Sequence, residues 1–114
     1  MLPKENRLKK RSAFAATYRT GKTLHKGGIT MFCGKKKDND TPVRIGFVVS
    51  KKIHKRAVKR NRIKRLMRES CRLLIKEQGI PNNHLSLILV ASSKLLEMDF
   101  KEIDSSIKKL VKQL

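Results

Sequence analysis

Acidic side chains are scarce in this chain. Nine Asp and Glu stand against 29 Lys and Arg, which gives a formal net charge of +20 over 114 residues. Self-repulsion of that size calls for a polyanion nearby, and nucleic acid is the leading candidate. Cysteine is nearly absent as well: Cys33 and Cys71 lie far apart with no close-spaced partner, which indicates neither a disulfide framework nor a zinc site. Both read as small core residues in a reducing compartment. Long hydrophobic runs are missing too. The longest, Leu87 to Ala91, is far too short to span a bilayer, and no apolar signal segment is found at the N-terminus. A soluble, cytoplasmic protein with no membrane partner is expected. There is no internal repeat, linker or low-complexity tract, so residues 1–114 are expected to form one domain around one core.

The residues needed for protein-based hydrolysis are also poorly supplied. A two-metal nuclease requires several carboxylates converging on one point. Here Asp38 and Asp40 fall in a predicted loop, and Glu97, Asp99, Glu102 and Asp104 gather at the start of the last predicted helix, where capping and the helix dipole account for them. His25, His54 and His84 sit singly in predicted loops, without His-x-x-x-His or Cys/His spacing. No catalytic residue, metal ligand or dedicated cofactor site is expected in the protein, and no small-molecule substrate.

What is present is basic, and unevenly placed. Residues 1–68 hold 22 basic and 3 acidic side chains, whereas residues 69–114 hold 7 and 6. One half of the molecule is expected to face the polyanion.

The periodicity gives an α+β reading in the order α-β-β-α-β-α: a two-layer sandwich with a small mixed sheet. A first helix runs from Ser12, as N-cap, to about Thr20, with Gly21 ending it. It places Phe14 and Tyr18, two of only five aromatic residues, on one helix face. Ile29 to Cys33 and Val43 to Ser50 read as the arms of a hairpin with a long loop. From Ala57 to about Glu77 the period becomes helical, with Ile63, Leu66, Met67, Ser70 and Leu74 on one stripe and Asn61, Arg65, Arg68 and Arg72 opposite. Leu85 to Ala91 reads as a strand buried on both faces. The last helix starts at a capping box of Asp99 and Glu102, with Met98 stapling onto Ile103.

The densest charge lies between Lys51 and Arg68, where ten of the eighteen residues are Lys or Arg and none is acidic. Like charges at i, i+4 spacing destabilise a helix by roughly 0.2–0.5 kcal/mol each, and an ordinary soluble surface intersperses acids. A phosphate backbone neutralises such a run. Arg60 and Arg62 stand roughly 200° apart on an ideal helix and reach to different sides, with Asn61 between them. Arg suits bidentate phosphate contacts, and Asn can donate or accept towards a phosphate, a 2′-hydroxyl or a base edge.

These residues resemble a known family. Arg44-Ile-Gly46, then Val49-Ser50-Lys51-Lys52, then Arg60-Asn61-Arg62-Ile63-Lys64-Arg65 and Arg68-Glu69 look like the protein subunit of bacterial ribonuclease P. Leu8-Lys9-Lys10 with Phe14, Tyr18 and Gly21 is similar to the family's N-terminal pattern, so nearly the whole chain is covered. The resemblance implies a ribonucleoprotein endonuclease that removes the 5′ leader of precursor tRNA, with the RNA subunit as catalyst and with Mg²⁺ required by that RNA. It implies that Arg60, Asn61, Arg62, Lys64, Arg65 and Arg68 contact the RNA subunit, with Ser50, Lys51 and Lys52 beside them. It also implies a leader cleft between the first helix and the sheet, lined by Phe14 and Tyr18, with Lys10 and Arg11 adding backbone contacts. Phe and Tyr at this spacing equally suit a core, and the sequence leaves both readings open. A left-handed β-α-β crossover is implied as well, against a strong right-handed norm. The chain departs from many relatives at Ile53 to Arg56, where a Gly-containing turn is common, and at Ser92, where a basic residue is frequent.

Two rival readings share the composition. A small basic ribosomal RNA-binding protein has no reason to combine these motifs. A DNA-binding regulator predicts a recognition helix after a tight helical turn, whereas the basic helix here follows a strand.

Overall fold

The computed structural model describes residues 2–20, 22–36, 41–77, 79–81 and 83–114. Gly21, read above as a helix stop, and the loop residues Asp38 and Asp40 lie outside them.

Alternating side chains set the sheet. In the strand Ile29–Cys33 (β2), Ile29, Met31 and Cys33 are buried, while Thr30 and Phe32 are half-buried on the opposite face. Ser86–Ala91 (β4) is closed on both faces, as its unbroken apolar run implies. Arg44–Val48 (β3) carries Ile45 into the core and Gly46 to the other side. A strand not read from the sequence, Lys22–Lys26 (β1), completes a sheet in the order β1-β2-β4-β3.

This order corrects the expected hairpin. β2 does not pair with β3: it pairs antiparallel with β1, Lys26 opposite Ile29, and antiparallel with β4. β3 pairs parallel with β4, so the sheet is mixed and β4 lies between β2 and β3. The tight turn is Gly27-Gly28, with φ of 55° and 86°. Two successive residues at positive φ form the turn that suits a two-residue hairpin, and glycine adopts it without a side-chain clash.

Three helices cover the sheet. The first, Arg11–Arg19 (α1), has its N-cap two residues earlier than expected: Lys10, not Ser12, occupies that position and makes no side-chain cap. The second, Ala57–Lys76 (α2), buries Ile63, Met67, Ser70, Cys71 and Leu74. Its end is closed by the Gly79 N–H donating to the Leu74 carbonyl (2.7 Å). The third, Phe100–Lys112 (α3), has the expected capping box, with Glu102 N donating to Asp99 Oδ1 (2.9 Å) and Asp99 N to Glu102 Oε1 (3.4 Å).

The main core lies between the sheet and α2 and α3. Ile29, Met31, Ile45, Leu87 and Leu89 meet Ile63, Met67, Ile103, Ile107 and Leu110, each at most 2% exposed. Burying each such side chain contributes roughly 1.5–3 kcal/mol of transfer free energy. Cys33 and Cys71 are free and buried in this core, and burial pushes the Cys71 thiol up to about 12. α1 lies on the opposite face, where the Thr17 and Ser86 hydroxyls share a hydrogen bond and the Tyr18 ring stands edge-on to Phe32 at 4.8 Å. The parallel neighbours β3 and β4 are joined through α2, the β-α-β crossover that carries the basic segment.

Candidate functional site

The amphipathic pattern of α2 fixes what it exposes. Because Ile63, Met67, Cys71 and Leu74 are held against the sheet, Asn61, Arg65 and Arg68 are exposed along the outer side. Arg72, on the same stripe, is bound to Glu69 by two hydrogen bonds (2.7 and 3.1 Å). That pairing lowers the Glu69 carboxyl and raises the Arg72 guanidinium from their usual ranges.

No acid stands in the first turn of α2, and its N-cap, Arg56, makes no side-chain cap. The free N–H groups and positive dipole end of the helix therefore add to the charge of Lys55, Arg56 and Lys59, all exposed. Such an end attracts anions. The strand-to-helix connection is folded by local hydrogen bonds: Lys52 N donates to Ser50 Oγ (3.1 Å), Ile53 N to Ser50 O (3.0 Å) and Arg56 N to His54 Nδ1 (3.1 Å). Ser50, Lys51 and Lys52 thus sit exposed at the end of β3, beside the helix start.

Arg60 and Arg62 reach to different sides, and each is anchored. Arg60 Nη1 donates to the His54 carbonyl (3.3 Å), and Arg62 Nη2 donates to the Met98 carbonyl (3.2 Å) just before α3. Each guanidinium keeps further donors. Arg60 and Arg62 therefore tie the connecting loop and the start of α3 to α2, while among the described residues Asn61 and Arg65 have no hydrogen-bond or ion-pair partner.

A second cluster forms at the β3 edge of the sheet. The N-terminal segment runs along β3, with Leu8 N donating to the Ile45 carbonyl (3.1 Å), and Arg7 is pinned by Nε to the Leu2 carbonyl (2.9 Å). α1 then crosses the sheet so that Phe14 lies on Gly46: a Cβ added there would stand 2.5 Å from Phe14 Cζ. Around this contact opens a cleft of about 270 Å³, in which Phe14, Gly46 and Phe47 meet Lys64 and Arg68 of α2 and Arg7 and Lys9 of the N-terminal segment. Aromatic faces and cations thereby converge on one groove.

Phe14 and Tyr18 share a helix face but not this cleft. Phe14 lines it, whereas Tyr18 stands on Phe32, 39% exposed, with its hydroxyl raised by burial. Lys10 and Arg11 are exposed at the start of α1 and do not line the cleft. Arg7, Gly46 and Phe47 were not singled out as site residues from the sequence. The signal for Gly46 was available, since it breaks the alternation of Ile45 and Phe47 with a residue lacking a side chain.

Among the described residues no three His, Cys, Asp or Glu side chains converge to hold a metal, and no helix is long and apolar enough to cross a membrane. The acids of the last helix are engaged: Asp99 and Glu102 in the capping box, and Asp104 with the Ser70 hydroxyl (2.7 Å) and Lys108 (2.9 Å).

Comparison with known proteins places these features in a family. The family model described as Ribonuclease P matches residues 2–114. The Ribonuclease P protein component of Clostridioides difficile strain 630 is 41% identical over 106 residues, covering 93% of this chain and 89% of the relative. That of Caldanaerobacter subterraneus subsp. tengcongensis is 40% identical over 118 residues, covering 99% and 92%. Among solved structures, the RNase P protein of Staphylococcus aureus superposes with a TM-score of 0.76 at 27% identity, covering 96% and 95% of the two chains. That of Thermotoga maritima gives 0.77 at 26%, covering 95% and 96%.

Proposed function

The chain belongs to the ribonuclease P protein family, and on that premise we propose that it is the protein subunit of a ribonucleoprotein that cleaves the 5′ leader from precursor tRNA, binding both the catalytic RNA and the leader. The observation that carries this reading is the meeting of Phe14 and Phe47 with Lys64 and Arg68 in one cleft beside the acid-free face of α2. A single-stranded leader presents unpaired bases and phosphates together. Aromatic faces stack on the former, and Lys9 neutralises the latter together with Lys64 and Arg68, which the family resemblance implied as RNA-subunit contacts and which line the cleft.

The RNA subunit takes the outer face of α2 and its first turn. Asn61 and Arg65 contact it directly, Arg60 and Arg62 do so with the donors their carbonyl anchors leave free, and Ser50, Lys51 and Lys52 extend the contact at the end of β3. Lys10, Arg11 and Tyr18 flank the leader path on the α1 side. The catalyst is the RNA, and the Mg²⁺ it requires is bound by RNA phosphates. The protein contributes affinity, the alignment of leader and RNA, and a positive field. A cytoplasmic location follows from this substrate. The ribosomal alternative shares the charge but does not call for a leader cleft.

Adding the chain to a bacterial ribonuclease P RNA at low Mg²⁺ should restore cleavage of precursor tRNA to a mature 5′ end, and no stimulation of a verified active RNA would overturn the proposal. In the same assay Phe14→Ala should weaken binding of leader-bearing precursor by roughly tenfold while sparing mature tRNA, in line with about 1–3 kcal/mol per stacked base. Equal losses for both would return Phe14 to a packing role.

A further inference from the structure

A second basic concavity lies away from the cleft and from α2. The Gly27-Gly28 turn of the β1–β2 hairpin folds against the segment that leaves β4. Ser92 N donates to the Gly28 carbonyl (3.0 Å), and a Cβ on Gly28 would meet Ser92 Oγ at 2.9 Å and Lys94 Cβ at 3.1 Å. Around this contact a groove of about 580 Å³ opens, lined by His25, Lys26, Thr30, Ser92 and Lys94 with the two glycines and Ile29, and no carboxylate is among them.

One polar atom in the groove is unexplained by the protein. Beneath its surface Ser92 Oγ is closed off from solvent and, among the described residues, has no hydrogen-bond partner. A hydroxyl in that position is an unusual loss, because buried polar groups are nearly always paired. His25 Nδ1 is held by the Thr30 hydroxyl (2.9 Å), which fixes the ring and leaves Nε2 for another partner. Lys26 and Lys94 are both exposed. Two ammonium groups and an imidazole around a small turn supply donors suited to a phosphate.

The strand registers show where the groove points. Ile29 lies opposite Ala91 and Val48 beside Val90, so the hairpin turn and Ser92 are at the same end of the sheet as Ser50, Lys51 and Lys52. We propose that this groove binds a backbone phosphate of the RNA subunit through Lys26, Lys94 and His25, extending the docking face across the sheet end to the β1–β2 turn. The inference rests on the reading that the chain docks on that RNA.

The test compares the full chain with the double variant Lys26→Ala/Lys94→Ala for binding to ribonuclease P RNA across a range of salt. Both lysines are exposed, and circular dichroism checks that the variant is folded. The variant should bind about tenfold more weakly at moderate salt, with the slope of log K on log salt shallower by roughly 1–2. Its preference for precursor over mature tRNA should be unchanged.

Unchanged affinity and slope would overturn the inference. A loss confined to precursor tRNA would overturn the assignment to the RNA subunit. A wild-type chain that does not bind the RNA at all would remove the docking reading itself.

Discussion

His84 shows how one side chain can set a pH limit. It is 1% exposed, its Nδ1 donates to Asn83 Oδ1 (2.9 Å), and its Nε2 is buried without a partner. Burial, with Lys22 and Lys36 nearby, lowers its pKa below the ordinary value of 6.5. The unfolded chain therefore binds more protons than the folded one as pH falls. The stability linked to neutral His84 is present above pH 6.5 and is lost as pH drops below it towards the folded value. Urea midpoints should fall between pH 7.5 and pH 5, and His84→Gln should flatten that dependence. An equally steep fall in the variant would place the acid sensitivity elsewhere. At this scale the sequence was informative about which residues carry charge and silent about what restrains them. Asn61, Arg65 and Arg68 were legible from the helical period. The anchoring of Arg60 on His54 O and of Arg62 on Met98 O was not, because both acceptors are backbone carbonyls brought near by the fold.

Between elements, the decisive contact is α1 on β3. Phe14 reaches the sheet because position 46 has no side chain. Gly46→Ala should force the ring to shift, cost about 1–3 kcal/mol of stability and narrow the cleft, as overpacking does. Chemical denaturation reads the first effect and leader-dependent binding the second; a variant of wild-type stability and leader preference would show that the ring relocates freely. The elements that were legible had strong local signals: the α2 period, the Asp99 and Glu102 capping box, and the apolar run of β4. β1 escaped because Lys22–Lys26 exposes every residue but Leu24 to a large degree, so it carries little alternation. Its turn, Gly27-Gly28, was the available clue. The hairpin assigned to β2 and β3 failed for a different reason. Both strands look alike locally, and only the later β4 decides that they never touch.

Across the whole molecule, charge is the dominant quantity. Among the described residues the two ion pairs, Glu69 with Arg72 and Asp104 with Lys108, lie outside the basic half. The cations before residue 69 therefore repel one another with no ion pair among the described residues to offset them. Raising salt from about 0.01 M to about 0.2 M shortens the Debye length from roughly 30 Å to below 10 Å. The melting temperature should then rise by several degrees, followed by circular dichroism, and a fall would mean that attractive pairs dominate the folded state. The asymmetry of charge was legible in the sequence, as was the α+β class. The placing of the aromatic and basic cleft at the β3 edge was not, since it requires α1, β3 and α2 to meet in space.

The central position of β4 also has a consequence in time. A ribosome delivers this chain from its N-terminus, so β1, β2, β3 and α2 all emerge before residues 86–91, the strand that joins them into one sheet. The β1–β2 hairpin can close locally, whereas β3 and the positive helix wait for a partner that arrives three-quarters of the way through synthesis. For that interval the basic helix lacks the completed sheet against which its apolar side packs.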